Sequence, residues 1–419
     1  MIGTGVPGMY QRFAAAQVRR ALADTPIVAI TGPRQSGKTT LAKTFGAHGR
    51  PYITFDDATQ RAAAQNDPTG FVRGLDRAII DEVQRVPPIA LALKQSVDED
   101  RRNGRFLVTG SADILAIPKA QESLAGRVEV IRLLPLAQSE ILGRKPPHFI
   151  DACFAGMFSH SNAALAGRDV AEILPRVLAG AYPEVLTRKS QQRKHAWYAS
   201  YVQAIEQRDI REIATLHKAR QVPRLVEILA RHAGQLTNFS RIGRDIALDS
   251  ETVDHYVQLL EDLFILRRVR PWQRNELSRL VKTPKIQFLD SGLLSALLRL
   301  SADRVKHDRT PLGPVLETFV FSEIAKAAAW SRSRPEIFHY RDKDQIEIDF
   351  VMENDRRDVV GIEVKAGASV SADDFKGLKR LAEHTGKYFR FGVVLYDGAQ
   401  IVPFGAKLVA MPYRVLWAG

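Results

Sequence analysis

Short, almost unbroken apolar runs punctuate the first third of the chain: PIVAITG (26–32), YITFDD (52–57), RAIIDE (77–82), RFLVTGS (105–111) and RVEVIRLLPL (127–136). Each is too short for a buried helix, and between them lie helical stretches, one beginning at Lys38. Strands buried on both faces read as continuous apolar runs, because helices cover a parallel sheet from both sides. The alternation therefore predicts an α/β domain with a mainly parallel sheet.

From about Leu165 to Leu300 the period becomes helical, with apolar residues three and four apart in LPRVLAG, KHAWYASYVQAIEQRDIREIA and RLVEILARHAG. Inside it, LTNFSRIGRDIALDSETVDHYVQLLEDLFILRRVRPW reads as helix, turn, helix and a short β pair, with Asp249 and Ser250 placed to cap the second helix. That order is typical of a winged helix, expected at about 221–272. From Leu316 the pattern changes again: a helix LETFVFSEIAKAAAW, strands EIFHYR, EIDFVME and VVGIEVKA, a helix over 372–384, and FGVVLY. Three domains are expected, at 1–145, 165–310 and 311–419.

The length of 419 residues agrees, since single cores stop growing at roughly 250 to 300 residues. With 45% hydrophobic and 26% charged residues the bulk of the chain is globular. No apolar run reaches the roughly 18 to 20 residues that span a bilayer, and the opening MIGTGVPGMYQRF has no leader pattern, so a cytoplasmic location without membrane partners is expected. Cys153 is the single cysteine, which precludes an internal disulfide and fits a buried, inert thiol. Lys and Arg outnumber Asp and Glu by 60 to 47, a net +13 that favours polyanions. The charge is spread along the chain, and an arginine-rich proteome explains it equally well.

Gly32-Pro33-Arg34-Gln35-Ser36-Gly37-Lys38-Thr39 fits G-x-x-x-x-G-K-[ST] between a predicted strand and a predicted helix, the context that a P-loop requires. Glycines let backbone N–H groups close around phosphates, Lys38 reaches the β and γ oxygens of ATP, and the Thr39 hydroxyl ligates Mg²⁺, with Thr40 completing the binding segment. The apolar strand Ala78-Ile79-Ile80 ends in Asp81-Glu82, at the strand end where open α/β sheets bind ligands. Asp81 is expected to hold the magnesium, and Glu82 to orient or deprotonate the attacking water. The next strand offers Thr109 and Ser111, of which Ser111 is the preferred contact to the γ-phosphate or the water. Arg127 has two readings: a cation for the transition state, in cis or from a neighbouring subunit, or a structural ion pair.

The phrases TGPRQSGKTTLA, AIIDEVQ, FLVTGS and ESLAGR, with the opening YQR, resemble the prokaryotic AAA-type P-loop ATPases whose C-terminal half is a domain of unknown function. AGAYPEV (179–185), PKIQFLDSGLL (284–294), LETFVFSEI (316–324) and EIDFV…IEVKAG extend the resemblance over nearly the whole chain. It implies an ATPase core, a winged-helix-like middle and a C-terminal fold similar to PD-(D/E)xK restriction endonucleases. Asp349 lies in one predicted strand and Glu363-Val364-Lys365 in the next, so Glu363 and Lys365 share a face. Alone, this pattern is also that of a charged strand facing solvent. The resemblance implies a metal site in which Asp349 and Glu363 hold Mg²⁺, Lys365 positions water and Glu317 adds a ligand, although Ile348 replaces the usual proline.

Two functional classes follow. One is an ATP-driven enzyme or switch acting on DNA through the winged helix and the nuclease-like domain. The other is a signalling or defence ATPase, alone or as a homo-oligomer, whose C-terminal domain binds a protein partner.

Overall fold

The computed structural model describes residues 10–46, 49–111, 124–157, 173–209, 221–275 and 283–418. The chain divides into two compact units, Met1–Leu136 with Asp262–Phe264, and Ala137–Glu261 with Ile265–Gly419.

The first unit is built on five parallel strands in the order β2-β3-β4-β1-β5. These are β1 (Ile27–Thr31), β2 (Tyr52–Thr54), β3 (Ala78–Asp81), β4 (Phe106–Gly110) and β5 (Val128–Arg132). They fall inside the five apolar runs of the sequence. Period-two alternation sends Ile27, Ala29, Ala78, Ile80, Phe106 and Val108 to one face, against Leu93 and Val97 of the helix Ile89–Glu99. Val28, Ile30, Ile79, Leu107 and Ile131 face the other way, against Val18 and Ala21 of the helix Ala14–Asp24 and Leu41 and Ala42 after the first strand. Both faces are covered, which is why these strands lack polar alternation.

In the second unit, the helices Val222–Arg231, Phe239–Asp245 and Ser250–Asp262 precede an antiparallel pair, β6 (Leu266–Val269) with β7 (Lys285–Phe288). Asp249 caps the third helix, accepting from the Thr252 N–H at 2.7 Å. The six-stranded C-terminal sheet runs β12-β13-β11-β10-β9-β8. Its strands are β8 (Glu336–Arg341), β9 (Glu347–Glu353), β10 (Val359–Lys365), β11 (Phe389–Tyr396), β12 (Val402–Gly405) and β13 (Leu408–Pro412). It is mixed: β10, β11 and β13 are parallel neighbours, whereas β8, β9 and β10 alternate in direction and β12 runs against β13. Leu378 and Leu381 of the helix Lys376–Thr385 pack on one face, where Gly361 leaves the room: a Cβ there would meet Leu378 Cδ2 at 2.5 Å. On the other, Phe321 of the helix Leu312–Trp330 stacks on Phe350 with ring centroids 5.8 Å apart.

Candidate functional site

The loop 32–37 leaves the C-terminal end of β1 and turns sharply into the helix Lys38–Lys43. Gly32 has φ +153°, and a Cβ there would sit 2.2 Å from the Leu133 carbonyl oxygen. Gly37 has φ +95° and Gln35 φ +59°, so the loop coils through left-handed conformations that aim backbone N–H groups inward. Pro33 and Ser36 are buried, Arg34 half-buried, Gln35 and Thr40 exposed. The Lys38 ammonium lies within the loop, donating to the carbonyls of Gly32 at 2.9 Å and Pro33 at 2.8 Å. Arg12 braces the loop from outside, donating to Ser36 O at 2.6 Å and to Leu134 O at 2.7 Å.

At the end of β3, the buried Asp81 carboxylate accepts from three hydroxyls. Thr39 Oγ1 lies 3.1 and 3.0 Å from its two oxygens, Tyr52 OH lies 2.6 Å from Oδ2, and Thr109 Oγ1 bonds Oδ1. Burial, followed by this carboxylate, pushes the Tyr52 phenol well above its ordinary ionisation range. One carboxylate and one hydroxyl at the end of a phosphate loop is the donor set that Mg²⁺ takes together with phosphate oxygens and water, so Asp81 and Thr39 fit the metal. Ser36 Oγ and Thr31 Oγ1 are buried without a hydrogen-bond partner among the described residues, as in a loop shaped for a polar ligand.

Glu82 follows with φ +62° and ψ +43°, a left-handed conformation that costs a non-glycine residue about 1 kcal/mol or more. The bend carries its carboxylate off the strand line to Gln84, whose Nε2 donates to Glu82 Oε2 and also lies 3.0 Å from Ser111 Oγ. Thr109 is thus the residue on Asp81, and Ser111 is linked to Glu82 through Gln84. Tyr52 escapes spacing analysis, because no fixed interval ties it to the P-loop, whereas Arg12 and Gln84 stand in the phrases YQR and AIIDEVQ without a role expected of either.

Of the two readings of Arg127, its place in the fold bears on the one within its own chain. It precedes β5, and its carbonyl accepts from Ile27 N at the start of β1, whereas the phosphate loop follows the end of β1. Five strand residues, about 15 Å, separate the two ends. Its guanidinium is held by Asp98, with Nη2 3.0 Å from Oδ2. Within one chain it therefore forms a structural ion pair and does not face the phosphates.

In the second unit, Asp349 and Glu363 come together. Regular pairing of β9 with β10 ends at Phe350 and Ile362, and a register shift between β8 and β9 falls at the same place. There Asp349 Oδ2 accepts from Val364 N at 2.8 Å, and the Glu363 carboxylate lies against the Asp349 N–H. Lys365 Nζ is 3.0 Å from Glu363 Oε1 and 3.7 Å from Asp374. Glu317 joins from its helix. Gly234 approaches it so closely that a Cβ would be 2.6 Å from Glu317 Oε2, an oxygen buried without a hydrogen-bond partner among the described residues. Burial raises all three carboxyls, reinforced for Glu317 and Glu363 by Asp349; Glu363 is pushed up to about 8.

Two further groups were not foreseen. Lys285 of β7 is 4% exposed, 3.2 Å from Glu347 Oε2, and feels the charges of Asp349 and Glu317. His339 is buried beside it and depressed to about 3, first by burial and then by Lys285, so its ring is neutral. Among the described residues no three carboxylate or imidazole groups converge to hold a metal ion. As placed, the carboxylates are balanced by lysines, and this arrangement does not fit a resident metal.

Residues 24–142 match the AAA domain family, 171–304 a domain of unknown function (DUF8612) and 312–416 another domain of unknown function (DUF4143). Two mycobacterial proteins, "Uncharacterized protein Rv2008c" of Mycobacterium tuberculosis and "Uncharacterized protein Mb2031c" of Mycobacterium bovis, are each 32% identical over 409 residues, 96% of this chain and 83% of theirs. The chain belongs to their family. Its first unit, with the loop and Asp81 in place, is a P-loop ATPase domain of the AAA type. A Walker-type ATPase of Pyrococcus abyssi is similar at 14% identity, over 69% of this chain and 96% of that one, with a TM-score of 0.43. Among the described residues no helix is long and apolar enough to cross a membrane.

Proposed function

We propose that this protein hydrolyses ATP at the ends of β1, β3 and β4 and uses the hydrolysis to drive work by its other two parts. The observation that carries the reading is Asp81, aligned on the Thr39 hydroxyl at 3.0 Å and followed by a Glu82 bent out of the strand. Lys38 is assigned to the β- and γ-phosphates and Glu82 to orienting the attacking water, with Gln84 and Ser111 restraining the glutamate. Thr39 and Asp81 would hold magnesium, which when bound supplies bridging positive charge to the phosphates.

The domains assigned are 1–145 for ATP, 165–310 with a winged helix, and 311–419 with a nuclease-like fold. In this reading the middle part grips DNA. Arg241 and Arg244, both exposed, lie on the helix Phe239–Asp245 and reach phosphates. A specific observation favours a second reading, in which the partner is a protein. The helix that would enter a DNA groove, Ser250–Asp262, exposes Glu251 and Asp254, and the nearby Arg268 is already bound by Asp254 at 2.7 Å and by Glu261.

Lys38→Ala should abolish ATP binding, whereas Glu82→Gln should bind ATP and turn it over far more slowly. Titration calorimetry and phosphate release read the two separately. Wild-type turnover by Glu82→Gln would remove the assigned role.

A further inference from the structure

We propose that Arg12 is a positioning residue of the phosphate loop: it holds the Ser36 carbonyl outward and so turns the Gly37 N–H toward the phosphates. The inference rests on reading residues 32–39 as an ATP site, and it adds to that site a part from outside the motif.

A loop holds an anion when N–H groups face it and carbonyls do not. In a trans peptide unit the C=O and the following N–H point in opposite directions, because the unit is planar. Among the described residues no peptide bond is cis. Whatever fixes the carbonyl of one residue therefore fixes the N–H of the next. Three of the carbonyls are fixed from within. Lys38 Nζ takes those of Gly32 at 2.9 Å and Pro33 at 2.8 Å, and Leu41 N takes that of Gly37 at 2.9 Å. The Ser36 carbonyl is taken by Arg12, 24 positions earlier, whose Nη1 lies 2.6 Å from it.

That peptide is free to turn over unless something holds it. It joins Ser36 to Gly37, whose φ is +95°, and glycine admits the flipped orientation at little cost. With the carbonyl inward, the loop would set an oxygen against the phosphate. Arg12 opposes this with a rigid fork, for its Nη2 donates to Leu134 O at 2.7 Å, just beyond β5. The guanidinium is thus tied to a second segment and does not follow the loop. Its own backbone is held by the helix Ala14–Asp24: Ala15 N donates to the Arg12 carbonyl at 3.1 Å, and Val18 and Ala21 pack on the sheet. The other end of the loop meets the same segment directly, since a Cβ on Gly32 would stand 2.2 Å from the Leu133 carbonyl oxygen. Residues 133–134 therefore clamp the loop at Gly32 by contact and at Ser36 through Arg12.

Backbone N–H groups of such a loop cradle the α- and β-phosphates, which ATP and ADP share. Removing Arg12 should therefore weaken both alike and leave the chemical step alone. The test is calorimetry of the full chain with Mg²⁺·ATP and Mg²⁺·ADP, beside steady-state phosphate release. Arg12→Ala should weaken both nucleotides by a common factor of about tenfold or more, and raise KM while kcat at saturation stays as in wild type. Guanidinium chloride at low millimolar concentration should restore part of the affinity of Arg12→Ala and leave wild type unchanged, because the free ion can bridge the same two carbonyls. Arg12→Met keeps the aliphatic stem and should show the same losses if the alanine variant fails to fold. Wild-type affinity in both variants, or a fall in kcat at unchanged KM, would overturn the proposal, as would a loss in Arg12→Ala that guanidinium leaves untouched. A wild-type chain that binds neither nucleotide would instead remove the ATP reading itself.

Discussion

Among the described residues, Asp81 is held by three hydroxyls, which makes its orientation a matter of hydrogen-bond geometry. Thr39 would turn to the metal when ATP binds, leaving Thr109 and Tyr52 to hold the carboxylate. Tyr52 is the one a conservative change can remove cleanly, because Tyr52→Phe keeps the ring on which Lys43 Nζ sits at 4.4 Å. Losing a hydrogen bond to a charged group costs about 1.5 kcal/mol, about tenfold in affinity. Tyr52→Phe should therefore weaken binding of Mg²⁺·ATP about tenfold while ATP without metal binds as before. Calorimetry with and without Mg²⁺ separates the cases, and equal losses in both would show that the tyrosine acts through packing alone. The phosphate loop was legible in the sequence because backbone geometry fixes its glycines and lysine at set intervals. Tyr52 and Lys285 were not, since each reaches its carboxylate across a sheet or between segments, where sequence distance carries no information.

At the scale of elements, the strands of the first unit were readable because burial on both faces demands continuous apolar runs. The edge pair β12 and β13 was not, for β12 is Val402-Pro403-Phe404-Gly405, a largely exposed strand with proline and glycine and no alternation. The irregularity at Asp349 was equally hidden, although it decides that Asp349 and Glu363 meet. The middle helices show how an element order leaves function open: the strand that pairs with β6 is β7, beyond the span expected for a winged helix. Helix Phe239–Asp245 exposes Arg241 and Arg244, while helix Ser250–Asp262 exposes Glu251 and Asp254. If DNA is the partner, the phosphate contacts come from the first of these. Replacing both arginines with alanine should lower the slope of log affinity against log salt by about 2, one unit per phosphate contact. Filter binding over a salt series measures it. A slope unchanged by the double substitution would leave the acidic helix, and with it a protein partner, as the better description.

At the scale of the molecule, the position of Arg127 turns a question of catalysis into one of assembly. The strand register puts it at the opposite end of the sheet from Lys38, paired with Asp98. A role in its own active site is thereby closed, and a role in the transition state survives only if a second copy presents it to the phosphates of the first. An exposed ion pair of this kind contributes little, because water screens it, so giving up Asp98 would cost little. Dependence on concentration then follows. If Arg127 acts in trans, turnover per subunit of the wild type should rise with protein concentration, and Arg127→Ala should lose that rise, by about 10³ for a full arginine finger, without losing ATP affinity. A turnover independent of concentration in both proteins would leave the Asp98 pair as the whole of its function. Asp98→Ala separates the possibilities from the other side: it frees the guanidinium, so it should preserve or raise the concentration-dependent rate if Arg127 works on a neighbour, and should only lower thermal stability slightly if Arg127 is structural.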